Sequence, residues 1–456
     1  MTPQQISDLR RQLKVRESLI TEGESFDEYA HDATTHVSPP SCVIVAQAVE
    51  DVIGALRFCH DNNIPVTPRG AGTGLSGGAV AAPGALVLST ERLKSIEIDP
   101  ARKIAYCSPG DITKELQDAA LAHGLAYPPD PASYEECSMG GNIAENAGGL
   151  RCKRFGVTRD YVIGLEAVLM DGSVIKTGCF NESRGFSIGD VVIGSEGTLA
   201  VVVRIAVRLI EQPGPGDTIL VAFKQPRDAA QTVTDITGAG IIPTVMEFLD
   251  GDAAACANEY ERTDGLDKAA AILLLETSDI DRPAQTDKIR RICEKNGCSY
   301  LRTESDPDRA DNLWQVRRNM TYAAKAQAEL RISEDVAVPN SRFPVLVQYV
   351  SEMNQRSPLR INSYGHAGDG NLHVNFMAPK DTPEAREEMS ARIEELMRKT
   401  VELGGTLSGE HGIGLAKQPY LALEFDAATL QSMRAVKSVF DPRTLLNADK
   451  IFPVEK

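Results

Sequence analysis

The stretch Pro68 to Gly78, PRGAGTGLSGG, follows the strand-like run IPVT and constrains the chain more than any other feature. Glycine at this density excludes a regular element, because each one in a helix or strand interior costs roughly 0.5–1 kcal/mol relative to alanine. A glycine-rich turn after a strand suggests a dinucleotide fingerprint, but that fingerprint needs a helix directly behind it to meet the pyrophosphate. Here AVAAPGALVLS follows, which reads as loop and then strand. What the loop does supply is a succession of backbone N–H groups with little side-chain bulk, enough to cradle a diphosphate without a helix. Taken alone, a flexible surface loop is the competing reading.

Two further segments shift that balance. ASYEECSMGGNIAENAGG, Ala132 to Gly149, flanks Asn142, Ala144 and Asn146 with paired glycines, and IGSEGTLAVV, Ile193 to Val202, repeats the small-residue pattern just before a strand. In order and interval, the three loops together resemble the FAD-binding domain of the vanillyl-alcohol oxidase and p-cresol methylhydroxylase type. The resemblance implies cofactor contacts from Arg69, Gly70, Ala71, Gly72, Thr73, Gly74 and Ser76 in the first loop. It adds Ser138, Gly141, Asn142, Ala144, Asn146 and Gly149 from the second, and Glu196 and Gly197 from the third. Some members of that family attach FAD covalently through a histidine in the first loop. This loop has none, with Thr73 near the relevant place, so noncovalent FAD is expected.

Composition sets the outer bounds. The 456 residues suffice for two or three domains. A formal net charge of −16 argues against nucleic acid as a partner, since phosphates would be repelled. No apolar run is long enough to span a bilayer, and MTPQQISDLRRQL lacks the apolar core of a signal peptide. That N-terminus reads instead as a helix start, with Thr2 as cap, Pro3 in the first turn and Gln5 closing a capping box. Nine cysteines occur without any C-x-x-C pair, which fits reduced thiols and argues against an internal iron–sulfur cluster or zinc ribbon. A cytoplasmic protein is expected.

Along the chain, residues 1–36 look helical and polar, and residues 37–215 alternate short β-rich runs with helical segments as the FAD-binding domain. EQPGPGD, Glu211 to Asp217, is the expected boundary. Residues 216–420 combine strands (TILVAF, AAILLLE, RINSYG, LHVNF) with long helical stretches, and 421–456 form a C-terminal segment returning to the FAD domain. The expected fold class is therefore α+β: a two-subdomain FAD-binding domain plus an α+β substrate, or cap, domain with an antiparallel sheet.

SYGHAGDGNLHVNF, Ser363 to Phe376, holds two of the seven histidines. Asp369-Gly370 is a hairpin signal, because both central residues of a two-residue turn must accept positive φ. Centring the turn there pairs His366 with His373, whose Cβ atoms would lie about 5 Å apart on one face. Two imidazoles so placed can ligate one ion. SGEHGIG, Ser408 to Gly414, offers Glu410 as a third ligand and leaves His411, pointing the other way, as a base. Such a set with an open position suits Zn²⁺, Fe²⁺ or Mn²⁺. Histidines that merely cap turns are the bland alternative.

G-H-x-G-D-G-N-x-H followed by G-E-H-G-I-G resembles the substrate domain of the FAD-linked 2-hydroxy-acid dehydrogenases, which include D-lactate dehydrogenases, the glycolate oxidase flavin subunit and D-2-hydroxyglutarate dehydrogenase. With the flavin loops the resemblance spans about residues 37 to 454. It implies His366, His373 and Glu410 as metal ligands, His411 as the catalytic base and Asn375 as a substrate-side donor. Trp314-Gln-Val-Arg317 suggests Arg317 as the guanidinium clamp on a substrate carboxylate, with Thr321 one helical turn later. NADKIF, Asn447 to Phe452, departs from the family's Asn-Pro-Gly-Lys-Ile and leaves Asn447 and Lys450 as flavin-side candidates. Ser333 stands where 2-hydroxyglutarate enzymes carry a lysine, which tilts the expectation toward D-lactate or glycolate. The implied reaction is oxidation of a D-2-hydroxy acid to the 2-oxo acid with hydride transfer to flavin N5. Electrons would then leave to an iron–sulfur subunit, an electron-transfer flavoprotein or a quinone, through which the chain could sit at a membrane. A homo-oligomer is expected. The competing functions are a non-catalytic flavin subunit and a metallohydrolase.

Overall fold

The computed structural model describes residues 1–181, 187–260, 269–318, 320 and 327–453. It divides into two compact units. The first comprises Met1–Gly149, Gly156–Gln212 and Glu410–Lys456, and the second Leu150–Phe155 and Pro213–Gly409.

The first unit holds two principal sheets. In one, β1 (Leu19–Ile20), β2 (Cys42–Val45), β3 (Val66–Arg69) and β4 (Leu86–Ser89) lie in the order β1-β2-β4-β3, with β2, β4 and β3 parallel and β1 antiparallel to β2. Parallel strands covered on both faces read as unbroken apolar runs, and every residue of β2 and β4 is buried. The crossover helix Val49–Asp61 is fixed at its start by the buried Asp51 carboxylate. That group accepts the backbone N–H groups of Gln47 and Ala48 at 3.1 Å and of Val15 at 3.0 Å. The other sheet is antiparallel: β5 (Glu97–Asp99), β6 (Ile104–Cys107), β8 (Val162–Val168), β9 (Val174–Lys176) and β10 (Val201–Arg208), ordered β5-β6-β10-β8-β9. A short pair, β7 (Leu125–Ala126) with β11 (Ile210–Glu211), completes the unit's strands.

The N-terminal capping box forms as expected, with Thr2 and Gln5 each accepting the other's backbone N–H. The helix it starts runs only from Pro3 to Gln12, however, not through most of the first 36 residues. The chain then turns back, and Leu19 and Ile20 extend the first sheet opposite Ile44 and Val43. Pairing on a sheet edge, with Leu19 buried and Ile20 half-buried, outweighs local helix preference. The last long helix runs from Ala427 to Phe440.

The second unit is one seven-stranded antiparallel sheet: β12 (Thr218–Phe223), β13 (Val245–Asp250), β14 (Ala271–Glu276), β15 (Tyr300–Glu304), β16 (Leu330–Ala337), β17 (Arg360–His366) and β18 (Asn371–Ala378), ordered β15-β12-β14-β13-β17-β18-β16. On one face Leu220, Leu249, Ile272 and Leu274 pack with Ala253, Ala254 and Ala257 of helix Gly251–Tyr260 and Leu313 of helix Pro307–Arg318. Because strand side chains alternate with period two, the register puts a polar row on that same face. Glu247 is opposite His366, Tyr364 opposite His373, and Asn362 opposite Asn375, while Asp335 and Ser333 flank His373 and Asn375 from β16. The α+β class with an antiparallel sheet in the second unit holds.

Candidate active site

In the first unit a cleft is walled by the three glycine-bearing segments. From the first, residues 69 to 74 line it; from the second, Ser138, Gly141, Asn142 and Ala144; from the third, Glu196 and Gly197; Glu410 and His411 line it too. Ser76, Asn146, Gly149 and Asn447 stand back from it. The glycines are needed on steric grounds. A Cβ on Gly70 would fall onto Ser138 Oγ, so this position brings the first and second loops together. Gly72, at φ +73°, would drive a Cβ into the Arg69 guanidinium.

Several polar side chains of these segments shape the wall itself. Arg69 donates from Nη1 to the His31 carbonyl at 2.6 Å and from Nη2 to the Glu28 carbonyl at 3.2 Å, over the Tyr29 ring. Asn142 Nδ2 donates to Thr113 Oγ1 at 2.6 Å. The second segment is also not an open loop: Ser138 Oγ accepts the Gly141 N–H at 3.2 Å and caps a short helix, Met139–Glu145, that ends on Asn146 at φ +54°. Asn146 Oδ1 accepts the backbone N–H of Arg159 at 2.8 Å, and a Cβ on Gly149 would strike the Asp130 carbonyl. The cleft therefore offers mainly backbone and small side chains, which fits a flat cofactor with a diphosphate.

Glu196 secures the segment that carries His411. Its Oε1 accepts the Ile413 N–H at 2.8 Å and its Oε2 the Gly414 N–H at 2.7 Å. Burial raises its pKa, against the pull of those two donors and of Lys417 and Lys450. Glu145, beside it, is held well above the usual carboxylate range by burial and then by Glu196, and its Oε2 is buried without a hydrogen-bond partner. Asn447 Nδ2 donates to the carbonyls of Glu196 at 2.8 Å and Gly78 at 3.1 Å, and Lys450 Nζ to that of Val80 at 2.8 Å. Both thus fasten the C-terminal segment to the loops.

In the second unit the histidines meet, but not by the expected register. A 3₁₀ turn, Ala367–Asp369, closes onto Gly370 at φ +72°, so Tyr364 rather than His366 lies opposite His373. The turn is longer than two residues because it is pinned from outside: Asn340 Nδ2 donates to the Gly368 carbonyl at 2.9 Å, and Val338 N–H to that of Gly370 at 3.0 Å. His366, two residues beyond Tyr364, shares its face, and the two imidazole rings sit 5.3 Å apart, nearly perpendicular.

Glu247 is the residue that sequence reasoning missed. It is fully buried on β13, with Oε1 2.6 Å from His366 Nδ1 and Oε2 accepting Arg317 Nε–H at 2.5 Å. Burial alone would raise its pKa, but the charges and hydrogen bonds of His366 and Arg317 outweigh this and bring it down to about 2. Its one sequence signal is a lone carboxylate inside the apolar run TVMEFL. The Arg317 guanidinium also lies 4.8 Å from the centre of the Tyr364 ring. Asn375 is engaged: Oδ1 accepts from Arg331 at 2.6 and 3.0 Å, and Nδ2 donates to Asn362 Oδ1 at 2.8 Å. Gly409, the last residue of the second unit, packs so closely on Asn371 and Asp335 that no Cβ would fit. Glu410 is the next residue. Thr321 lies outside the described residues.

A two-sheet domain with a glycine-walled cleft, joined to an antiparallel-sheet domain carrying a buried carboxylate–imidazole–guanidinium group, defines a class. The p-cresol methylhydroxylase structure matches with a TM-score of 0.80 over 97% of this chain and 95% of that one, at 15% identity, and shares the fold. The chain belongs to the FAD linked oxidase family. The family's C-terminal domain profile matches residues 213–451, and an FAD binding domain profile matches 40–178. It is 37% identical to glycolate oxidase subunit GlcD of Bacillus subtilis (strain 168), over 96% of each chain. It is 30% identical to D-lactate dehydrogenase of Anaerostipes hadrus, over 99% of this chain and 98% of that one. The chain is accordingly an FAD-linked oxidoreductase.

Proposed function

We propose that this chain oxidises a D-2-hydroxy acid to the corresponding 2-oxo acid. The observation that carries this reading is the arrangement on one sheet face, where a single carboxylate, Glu247, holds both His366 and the Arg317 guanidinium beside His373. A guanidinium is the planar donor that a carboxylate substrate requires. Its Nε–H is held by Glu247, which sets the plane of the guanidinium on this face. The names of the two relatives, a glycolate oxidase subunit and a D-lactate dehydrogenase, support a small 2-hydroxy acid. Ser333, opposite Asn375, favours a substrate with one carboxylate such as D-lactate or glycolate.

His366 and His373, with Glu410 following Gly409, are the ligands for a divalent ion, Zn²⁺, Fe²⁺ or Mn²⁺. The donor set fits: two imidazoles, one already oriented through its far nitrogen by a carboxylate, as metal-bound histidines commonly are. Bound FAD supplies the two-electron acceptor, and a bound divalent ion supplies the positive charge that acidifies the hydroxyl. Arg317 fixes the substrate carboxylate. His411 accepts the hydroxyl proton, and Glu196 keeps the segment that bears it in place. No histidine stands in the first loop, so FAD is held without a covalent bond, by backbone and small side chains. Electrons then leave to a partner: an iron–sulfur subunit, an electron-transfer flavoprotein or a quinone. The word "subunit" in the name of the first relative supports this. Among the described residues, no helix is long and apolar enough to cross a membrane.

The test is anaerobic titration of the flavin spectrum with D- and L-2-hydroxy acids, before and after chelation. Bleaching by a D-acid, lost on chelation and restored by metal, is the expected result. A spectrum unchanged by every acid in the panel would overturn the reading.

A further inference from the structure

We infer that Glu247 is a positioning residue that ties metal affinity to substrate affinity, because its two oxygens separately hold the imidazole of a metal ligand and the guanidinium that binds the substrate carboxylate. The inference rests on the reading above and assigns a role to a residue that touches neither substrate nor metal.

Glu247 is fully buried, so water cannot stand in for it. His366 Nδ1 lies 2.6 Å from Oε1, which fixes the proton on that nitrogen and leaves Nε2 as the lone-pair atom. Arg317 Nε donates to Oε2 at 2.5 Å, which sets the plane of the guanidinium. Both partners are therefore donors, and only a group that accepts on both sides can satisfy them at once. Strand β13 presents that group directly opposite His366, and the chain reaches Arg317 from a different element, the helix Pro307–Arg318. The carboxylate thus joins two functional groups from different elements in one geometry. Anything that turns the imidazole moves the guanidinium with it.

Glu247→Gln tests this. The amide can accept from one partner but must offer N–H to the other, so both geometries slacken while size and shape are kept. The full-length, FAD-loaded chain is depleted of metal and titrated with Zn²⁺, and KM for the hydroxy acid is then measured at saturating Zn²⁺. Zn²⁺ affinity is expected to fall about 10–100-fold, the usual effect of removing an outer-shell partner. KM is expected to rise at least about fivefold even when the metal site is full, a shift that general destabilisation would not produce. Flavin content and thermal midpoint report folding. If the glutamine variant fails to fold, Glu247→Asp, too short to reach both partners, takes its place with the same readouts. Wild-type Zn²⁺ affinity in the variant, or wild-type KM at saturating Zn²⁺, overturns the inference. A His373→Ala control keeps the two levels apart. If it loses Zn²⁺ while Glu247→Gln retains it, only the inference falls; if the unmutated chain takes up no Zn²⁺, the metal reading falls as well.

Discussion

Glu196 Oε2 accepts the backbone N–H of Gly414 at 2.7 Å, and through it the third glycine-bearing segment holds the G-E-H-G-I-G stretch on the wall of the cleft. The partner bond to Ile413, at 2.8 Å, makes the grip two-pronged. Glu196→Gln can keep only one of the two, since its amide nitrogen presents a donor to a donor. Turnover is expected to fall on the order of ten- to a hundredfold, the scale on which small displacements of a catalytic group act. Flavin absorbance per chain and kcat, measured side by side, check this. A variant with full flavin and unchanged kcat would contradict it.

His411→Ala should retain FAD, because the walls of the cleft are mainly backbone and small residues that the substitution does not touch. Removing a general base costs typically 10²–10⁴-fold, so kcat should drop by that order while the flavin spectrum stays normal. Rates near those of the unmutated enzyme would refute the assignment of the base.

Gly70 and Gly74 line the same cleft but should respond differently to alanine. A methyl on Gly70 would fall onto Ser138 Oγ, whereas one on Gly74 meets nothing within 4 Å. Gly70→Ala should therefore lower the thermal midpoint of the cofactor-free protein. Gly74→Ala should leave that midpoint alone and weaken FAD binding, since its methyl would occupy cofactor space. Differential scanning measurements on stripped protein, with FAD titrations, separate the two effects. Equal apoprotein stability for both variants would sink the distinction.

These contrasts show what the sequence could reveal and what it could not. Glycine announces itself because its use is steric and local, so the three glycine-bearing segments were readable without knowing what lay opposite them, although the second hides a short helix, Met139–Glu145. The antiparallel second unit was readable from its strand and helix runs for the same reason. Arg69 and Asn142 were harder to read because their partners are remote: Arg69 bonds the His31 carbonyl 38 residues away, and Asn142 bonds Thr113 29 residues away. A polar side chain near a cofactor loop has the same letter whether it faces the ligand or the core. The histidine hairpin failed in register for a related reason. Asp369-Gly370 is a fair local turn signal, but Asn340 and Val338, from a distant part of the chain, pin a longer turn. Glu247 was the least visible, since its meaning depends on two partners, 70 and 119 residues away.

Lys450 offers a test by pH. Its ammonium is buried and donates to the Val80 carbonyl at 2.8 Å, and burial, only partly countered by Asp449, Asp32 and Glu196, brings its pKa down to about 8. In the unfolded chain the group titrates near about 10.4. Between those values the unfolded state binds more protons than the folded one, so stability attributable to this group rises with pH across that window. Conversely, it is lost as the pH falls through 8, where the folded state must hold a desolvated charge. Lys450→Met keeps the volume and removes the titration. The unmutated chain should therefore gain thermal midpoint relative to Lys450→Met between pH 7 and pH 10, and the difference should level off below about pH 7. Parallel melting curves across that range, with flavin content recorded at each pH, check the sign. A difference that stays flat, or that moves against Lys450 as the pH rises, would show that the lysine does not enter the fold as a buried cation.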